Sequence, residues 1–170
     1  MDMNITLRNE RPEDIPAINR LTEAAFANAE HSSHTEHFIV DALRRAGQLS
    51  VSLVAVEGDT LVGHVALSPV TLSSGVSGWF GLGPISVLPA RQGQGIGSLL
   101  MKAALAELQR MGGAGCVVLG DPAYYGRFGF KPQPGLTLPG VPAEYFQALA
   151  FDGAMAQGVV RYHDAFCATE

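Results

Sequence analysis

The chain has 170 residues, of which 47% are hydrophobic and 16% are charged, and its formal net charge is −5. This composition is typical of a folded chain rather than a disordered one, and the length fits one domain over residues 1–170. The negative charge argues against a nucleic-acid partner, which needs a basic face, and mildly favours a small or cationic acceptor. No apolar run approaches the roughly 20 residues that cross a bilayer, and the polar N-terminal segment does not resemble a signal peptide. We therefore expect a cytoplasmic protein with no membrane partner.

Hydrophobic periodicity predicts alternating strands and helices through the first half of the chain. The predicted elements are a strand over residues 5–8, a helix over 12–26, a helix over 35–46, and strands over 51–56 and 61–67. Pro12 suits the first position of the first helix, and Gly47 suits the position after the end of the second helix. The Glu57-Gly58-Asp59 turn joins the two later strands into a hairpin, and a further strand is expected to continue to Leu72, before a turn at Ser73-Ser74-Gly75. This alternation predicts an α/β layered domain.

The second half begins with an apolar strand over residues 79–88 that contains Gly81, Gly83 and Pro84. Glycine and proline inside a strand often mark a bulge or a close approach by a ligand. The further predicted elements are an amphipathic helix over 96–111, a buried strand over 116–119, a short helix over 121–129, a loop over 132–142, and strands over 145–150 and 159–163.

A glycine-rich loop, RQGQGIGSLL from Arg91 to Leu100, lies between that apolar strand and the amphipathic helix. The first N–H groups of a helix have no internal partners and lie at the positive end of its dipole. Gly93, Gly95 and Gly97 carry no side chains that would hold a phosphate away, so the loop predicts a pyrophosphate site. The P-loop and dinucleotide-binding motifs do not fit, because the required lysine and the third glycine are absent. A tight turn without a ligand is the alternative.

The segment Gln92-Gly93-Gln94-Gly95-Ile96-Gly97 matches the Gln/Arg-x-x-Gly-x-Gly/Ala signature and resembles the GNAT superfamily of acyl-CoA N-acyltransferases. The order of predicted elements agrees over nearly the whole chain. The resemblance implies one α/β (α+β) domain with a mixed, largely antiparallel, twisted central sheet that is flanked by helices and splayed at the acyl-CoA site. It implies acetyl-CoA (coenzyme A) as co-substrate, bound by Ile85, Ser86 and Val87 along the pantetheine and by Gln92, Gly93, Gln94, Gly95, Ile96, Gly97 and Ser98 at the pyrophosphate. For Arg91, a phosphate contact and a solvated surface position both stay open.

The segment from Tyr124 to Phe130 resembles the family's aromatic-Tyr-x-x-x-Gly-Phe motif. The resemblance implies that Tyr125 protonates the departing coenzyme A thiolate, which suits reference pKa values of about 10 for tyrosine and about 8.5 for a thiol. The alternative is that both tyrosines are packing aromatics, and Tyr124 is expected to be structural or to face the substrate. Asp121 departs from the family, in which many members have asparagine.

The catalytic base is not identified by the sequence. An amine must be neutral to attack a thioester, and a lysine-like amine with a pKa of about 10.4 is nearly all protonated at pH 7. Many relatives place a glutamate on the strand before the loop, but residues 79–88 contain no acid. His64, Glu30 and Glu36 are candidates, with a packed core histidine and plain surface acids as the alternatives.

The sequence predicts no metal site. His31, His34 and His37 are regularly spaced, but no cysteine accompanies them and the start of the segment is irregular. Cys116 lies in an apolar run and is expected to be a buried thiol, and Cys167 has no predicted role.

We therefore predict an N-acetyltransferase that transfers acetyl from acetyl-CoA to a primary amine by direct attack within a ternary complex. A catalytically degenerate module that binds or senses acyl-CoA is the alternative, and acetylation of tRNA is a minor variant. The acceptor is a small molecule, an antibiotic, a peptide N-terminus or a protein lysine. The loop over 132–142 and the region over 26–38 are expected to shape its cleft. The oligomeric state stays open, with a homodimer as the commonest symmetric form.

Overall fold

The computed structural model describes residues 4–29, 32 and 34–169 of the chain. The strands are β1 (Ile5–Asn9), β2 (Val51–Glu57), β3 (Thr60–Pro69), β4 (Thr71–Leu72), β5 (Trp79–Val87), β6 (Gly115–Leu119), β7 (Lys131–Pro132), β8 (Leu136–Thr137), β9 (Phe146–Ala150) and β10 (Gly158–Arg161). The α-helices are α1 (Ile15–Phe26), α2 (Glu36–Arg45), α3 (Ile96–Arg110) and α4 (Pro122–Tyr125).

The central sheet contains seven strands in the order β1-β2-β3-β5-β6-β9-β7. Neighbouring strands run antiparallel except β5 and β6, which run parallel and are connected by α3. A parallel pair needs such a crossover, whereas the antiparallel β2–β3 pair closes with the short turn after Glu57. The mixed, largely antiparallel sheet that the sequence predicts is confirmed.

Helices cover both faces of this sheet. The first face carries α1 and α2, where Ile18 and Val40 pack with Val54 of β2. The second face carries α3, whose buried residues Leu100 and Leu108 join the largest apolar cluster of the sheet. In the described part of the chain, no helix is both long enough and apolar enough to cross a membrane.

The helix predicted to begin at Pro12 begins instead with a separate 3₁₀ turn, Pro12–Asp14, before α1. The buried carboxylate of Asp14 explains this start, because it accepts hydrogen bonds from the backbone N–H of Arg11 at 2.7 Å and from the Arg8 guanidinium at 2.7 and 3.1 Å. These bonds connect the N-terminal strand to the turn and fix where the helix starts.

Of two predictions on the shorter elements, one is confirmed and one is wrong. The further strand expected to continue to Leu72 is present as β4, and it belongs to a second sheet with the order β4-β10-β8, in which Leu72 pairs with Val160. The segment expected to be a loop over 132–142 contains the end of β7 and all of β8. The error concerns β7 and β8, two-residue strands whose partners are not their neighbours in the chain, and such pairing leaves no local pattern.

The sheet is split between β5 and β6. The two strands pair only from Trp79 to Gly81, although β5 continues to Val87. Beyond the split, the register between β3 and β5 shifts at Gly83-Pro84, where Gly83 has a φ of +133° and the peptide bond is cis. The Tyr162 ring lies so close to Gly81 that no Cβ fits there. The bulge predicted in this strand is thus present, and because β6 pairs no further than Gly81, the final residues of β5 have an open edge on that side.

The placement of α3 can be tested with two adjacent leucines, since Leu100 is completely buried and Leu99 is 41% exposed. We expect Leu100→Ala to lower the free energy of unfolding by about 2–5 kcal/mol, because it leaves a cavity in the core. Leu99→Ala should cost at most about 1 kcal/mol. Urea denaturation followed by circular dichroism measures both values, and equal losses would contradict this placement.

Candidate functional site

A cleft of about 430 Å³ opens where β5 and β6 separate, beside the start of α3 and next to α4. It brings together most of the residues that the sequence predicted for the site. The lining residues are Ile85, Val87, Arg91, Gln92, Gly93, Gly95, Ile96, Gly97, Ser98, Tyr124, Tyr125 and Arg127.

Two of the predicted residues do not line this cleft. Ser86 alternates with Ile85 and Val87 along β5, so its side chain points to the opposite face of the sheet, where it is buried. Gln94 lies in the loop, and its side-chain oxygen accepts a hydrogen bond from Arg91 Nε at 2.9 Å. Ser86 can therefore offer a ligand in the cleft only its backbone groups.

The glycine-rich loop has a backbone that favours glycine at two positions. Gly93 and Gly95 have φ angles of +77° and +87°, and a Cβ at either position would meet no atom within 4 Å. Gly95 precedes the first residue of α3, so the unpartnered N–H groups of the first helical turn face the cleft. The Gln92 side chain donates to the backbone oxygen of Val87 at 3.1 Å and thereby connects the loop to the end of β5.

Arg91 is engaged in an ion pair that the sequence did not reveal. Its guanidinium bonds to both carboxylate oxygens of Glu57, with Nη2 to Oε2 at 3.0 Å. This neighbour holds the pKa of the Glu57 carboxyl below its usual range. A second cation, Arg127, lies over the Tyr124 ring, 4.6 Å from its centre, and also lines the cleft. Neither contact leaves a sequence signal, because both depend on the folded geometry.

The two adjacent tyrosines occupy different environments. The Tyr124 hydroxyl lies against the first turn of α3, 2.9 Å from where a Cβ on Gly97 would stand. The Tyr125 ring is packed over Gly120, where a Cβ would lie 2.5 Å from the ring, and edge-on to Phe130. Burial, with smaller effects of Tyr124 and Asp121, raises the pKa of Tyr125 to about 12. Tyr125 therefore keeps its proton at neutral pH.

The turn that carries these tyrosines is fixed from both sides. Asp121 Oδ1 accepts a hydrogen bond from Ala123 N at 2.9 Å and caps α4, a role that its carboxylate fills as well as an amide would. Gly120 N donates to Tyr145 O at 2.9 Å, and Gly120 O accepts from Gln147 Nε2 at 3.1 Å. Gln147 was not predicted, since a glutamine within an apolar strand has no distinctive spacing.

His64, one of the three base candidates, lies outside the cleft. It is completely buried on β3, with Nε2 2.8 Å from Ser52 Oγ, and Ser52 in turn donates to Glu10. Arg44 Nε and Nη2 bond to the two carboxylate oxygens of Glu10 at 2.8 Å each. Burial is the main cause that lowers the pKa of His64 to about 4.

The other base candidates also lie away from the cleft or outside the described residues. Glu36 begins α2 and accepts hydrogen bonds from Ser32 Oγ at 2.7 Å. Glu30 and His31 fall outside the described residues. Within those ranges, no three histidine, cysteine, aspartate or glutamate side chains lie close enough to hold a metal ion.

The cysteines follow the expected pattern in part. Cys116 is completely buried, as predicted, and burial raises the pKa of its thiol. Cys167 is exposed.

Known proteins resemble the chain over nearly its whole length. The model of the Acetyltransferase (GNAT) family matches residues 15–130. Over 167 residues the chain is 34% identical to the uncharacterized N-acetyltransferase YhbS of Escherichia coli strain K12, covering 94% of this chain and 97% of YhbS. A crystal structure of YhbS from E. coli in complex with CoA has a TM-score of 0.87 at 33% identity, covering 98% of this chain and 94% of that chain.

A GNAT family acetyltransferase from Brucella melitensis, crystallised in complex with acetyl-CoA, is also similar. Its TM-score is 0.86 at 49% identity, and the match covers 97% of this chain and 99% of that chain. Together with the YhbS structure, this match confirms the predicted fold class.

The burial of His64 predicts a pH-dependent stability. Its pKa of about 4 in the folded state lies below the ordinary value of 6.5, so between these pH values the unfolded chain binds more protons. Stability from this group is therefore present above pH 6.5 and is lost as the pH falls toward 4. We expect a loss of about 2 kcal/mol between pH 7 and pH 5.

Urea denaturation at both pH values, for wild type and His64→Gln, measures this contribution. The variant should lose less stability on acidification than wild type by that amount. The same pH dependence in both proteins would contradict the buried neutral imidazole.

Proposed function

The chain belongs to the GNAT acetyltransferase family, and we propose that it transfers the acetyl group of acetyl-CoA to a primary amine. The observation that carries the proposal is one continuous cleft. It joins the glycine-rich loop at the start of α3, the open edge of β5 and the hydroxyl-bearing turn at Tyr125.

The proposed pyrophosphate site is the segment from Gln92 to Ser98. The φ angles of Gly93 and Gly95 turn the backbone so that the N–H groups at the start of α3 face the cleft. The helix dipole favours a negative group at this end, and the open space around both glycines lets a phosphate approach the backbone. Similar proteins whose structures hold CoA or acetyl-CoA support the same ligand class.

The proposed pantetheine site is the open edge of β5. Because β6 pairs with β5 only as far as Gly81, those backbone groups of residues 85–87 (Ile85, Ser86 and Val87) that face away from β3 are open to a ligand along the strand, apart from the Val87 oxygen. The Gln92 side chain occupies the oxygen of Val87, so it connects this strand site to the loop site.

In the proposed reaction, a neutral amine nitrogen attacks the thioester carbonyl carbon, a C–N bond forms, and the C–S bond breaks. Tyr125 donates its hydroxyl proton to the departing thiolate, and its high pKa ensures that this proton is present at neutral pH. The attacking nitrogen releases one proton to solvent and Tyr125 takes one back from solvent, so the products are an amide and the CoA thiol, and atoms and charges balance. Transfer is direct, because the buried Cys116 thiol has a raised pKa and is a poor nucleophile.

The loop can be tested with glycines at opposite ends of α3. Gly95 and Gly112 both have positive φ angles, +87° and +84°, and open space around the Cβ position. Gly95→Glu places a carboxylate in the proposed pyrophosphate site and should weaken acetyl-CoA binding at least about 100-fold. Gly112→Glu carries a similar backbone strain and should leave binding within about twofold.

Isothermal titration calorimetry with acetyl-CoA measures both affinities. An equal loss of acetyl-CoA affinity in both variants would mean that lower protein stability, and not the pyrophosphate site, causes the loss. No binding by wild type would remove the proposed function.

The acid can be tested with the two adjacent tyrosines. Tyr125→Phe should lower kcat by about 10²–10⁴-fold with acetyl-CoA affinity retained, because a positioned general acid contributes about that much. Tyr124→Phe should retain most of the turnover. The measurement is release of the CoA thiol during a screen of primary amines.

Full turnover by Tyr125→Phe would exclude it as the acid. Acetyl-CoA binding by wild type without turnover on any amine would favour the sensing module instead.

A further inference from the structure

The hydroxyl of Tyr125 is placed in the cleft by the packing of its ring. Within the described ranges, no hydrogen bond holds this hydroxyl. The ring lies edge-on to Tyr124 and Phe130, with centroids 5.0 and 6.2 Å apart, and against the backbone of Gly120. A general acid must lie within about 2.6–3.2 Å of the atom that it protonates. A residue that fixes the ring therefore also fixes the distance from this proton to the departing sulfur.

Gly120 is a glycine because the Tyr125 ring takes the place of its side chain. A Cβ at position 120 would lie 2.5 Å from Tyr125 Cε2 and 3.2 Å from Cδ2, whereas ordinary contacts of a Cβ begin at 3.4 Å. The backbone itself does not require glycine, since Gly120 is not among the glycines with positive φ. Any side chain at this position would thus push the ring away by about 1 Å.

Gln147 holds the Gly120 peptide from the neighbouring strand. Its Nε2 donates to Gly120 O at 3.1 Å, and its side chain is buried with 1% exposure. Gln147 pairs with Val118 on β6, and Val118 and Gly120 lie on the same face because they are two residues apart. On its other side, Gln147 pairs with Pro132 of β7. The amide therefore connects the turn before α4 to the middle of a three-stranded unit.

A glutamine at position 147 is unfavourable for the core itself. Among the described residues, its Oε1 is buried and has no hydrogen-bond partner. The residues around it on this face, Val118 and Leu149, belong to the largest apolar cluster or pack against it. An apolar side chain of similar length, such as methionine, would avoid the cost of an unpaired buried oxygen. The contribution that methionine could not replace is the hydrogen bond to Gly120.

Resting on the proposed function, we infer that Gln147 and Gly120 are positioning residues for proton transfer by Tyr125. Gln147 fixes the Gly120 peptide, Gly120 leaves the space for the ring, and the ring carries its hydroxyl to the cleft. Neither positioning residue lines the cleft, so both act through Tyr125. The reaction keeps the balance of the proposed one, with the proton moving from the Tyr125 oxygen to the departing sulfur.

Gly120→Ala tests the position of the ring. It should lower kcat by about 100-fold with acetyl-CoA and the primary alkylamine of highest turnover, because a displacement of about 1 Å costs about that much. Gly113→Ala is the matched control. Its Cβ would lie 2.9 Å from Leu108 Cγ, at the end of α3 that is remote from the cleft. The control should keep kcat within about twofold, and wild-type kcat in Gly120→Ala would overturn the proposal.

Gln147→Met tests the hydrogen bond without adding a clash, and it decides the matter if Gly120→Ala does not fold. The substitution removes the bond to Gly120 together with the unpartnered oxygen, so the midpoint of urea denaturation should change little. We expect kcat to fall about 10-fold, because the turn that carries Tyr125 is held less firmly. Wild-type kcat in Gln147→Met would remove its positioning role.

The Tyr125→Phe background separates positioning from a structural role. Without the hydroxyl there is no proton to place, so adding Gly120→Ala or Gln147→Met should change kcat by less than about twofold. Losses that multiply in the double variants would show that both residues act on the fold rather than on the acid, and would overturn the proposal. Acetyl-CoA affinity, measured by calorimetry, should stay within about twofold of wild type in every variant.

The same measurements distinguish this inference from the proposed function. A wild type without acetyl-CoA binding, or without turnover of any amine, would remove the proposed function. Full turnover by Tyr125→Phe would remove the acid and, with it, the group to be positioned. An active wild type and an impaired Tyr125→Phe, together with fully active Gly120→Ala and Gln147→Met variants, would remove only the positioning residues.

Discussion

The early end of the pairing between β5 and β6 is the constraint on which the site depends. These strands are the parallel pair of the central sheet, and they separate after Gly81 while β5 continues for six residues. A crossover helix leaves from the carboxyl end of its first strand, so the start of α3 and its glycine-rich loop must lie beside the opening. The split therefore places an open strand edge next to a helix N-terminus, and no further structural element is needed to bring them together.

Much of this arrangement could be predicted from sequence, because its signals are local. Alternating glycines before an amphipathic helix predict the loop, and Gly83-Pro84 inside an apolar strand predicts the bulge. The Arg91–Glu57 ion pair could not be predicted, since it joins positions 34 residues apart that only the β2–β3 turn brings together. The same holds for β8, which is too short to show periodicity, for the pairing of β4 with β10, and for Gln147, whose hydrogen bond to Gly120 needs β9 paired with β6.

Burial shifts the pKa values of two titratable groups in opposite directions. At Tyr125 the loss of solvent raises the pKa and keeps the hydroxyl protonated, while at His64 it lowers the pKa and keeps the imidazole neutral, with a single ring proton. In both cases the charged form is the one that burial disfavours. The sequence contains both residues, but it could not show this difference, because burial is the main cause of both pKa shifts and depends on the folded structure.

The split also divides the sheet mechanically. Strands β1, β2, β3 and β5 form one half, and β6, β9 and β7 form the other, and three residue pairs from Trp79 to Gly81 are the backbone ladder between them. A molecule that lies along the open edge of β5 takes the place that β6 would occupy if the pairing of the two strands continued beyond Gly81. The largest apolar cluster already joins the two halves, and a ligand at this edge extends their connection beyond the three-pair ladder, so its binding stabilises them as one unit.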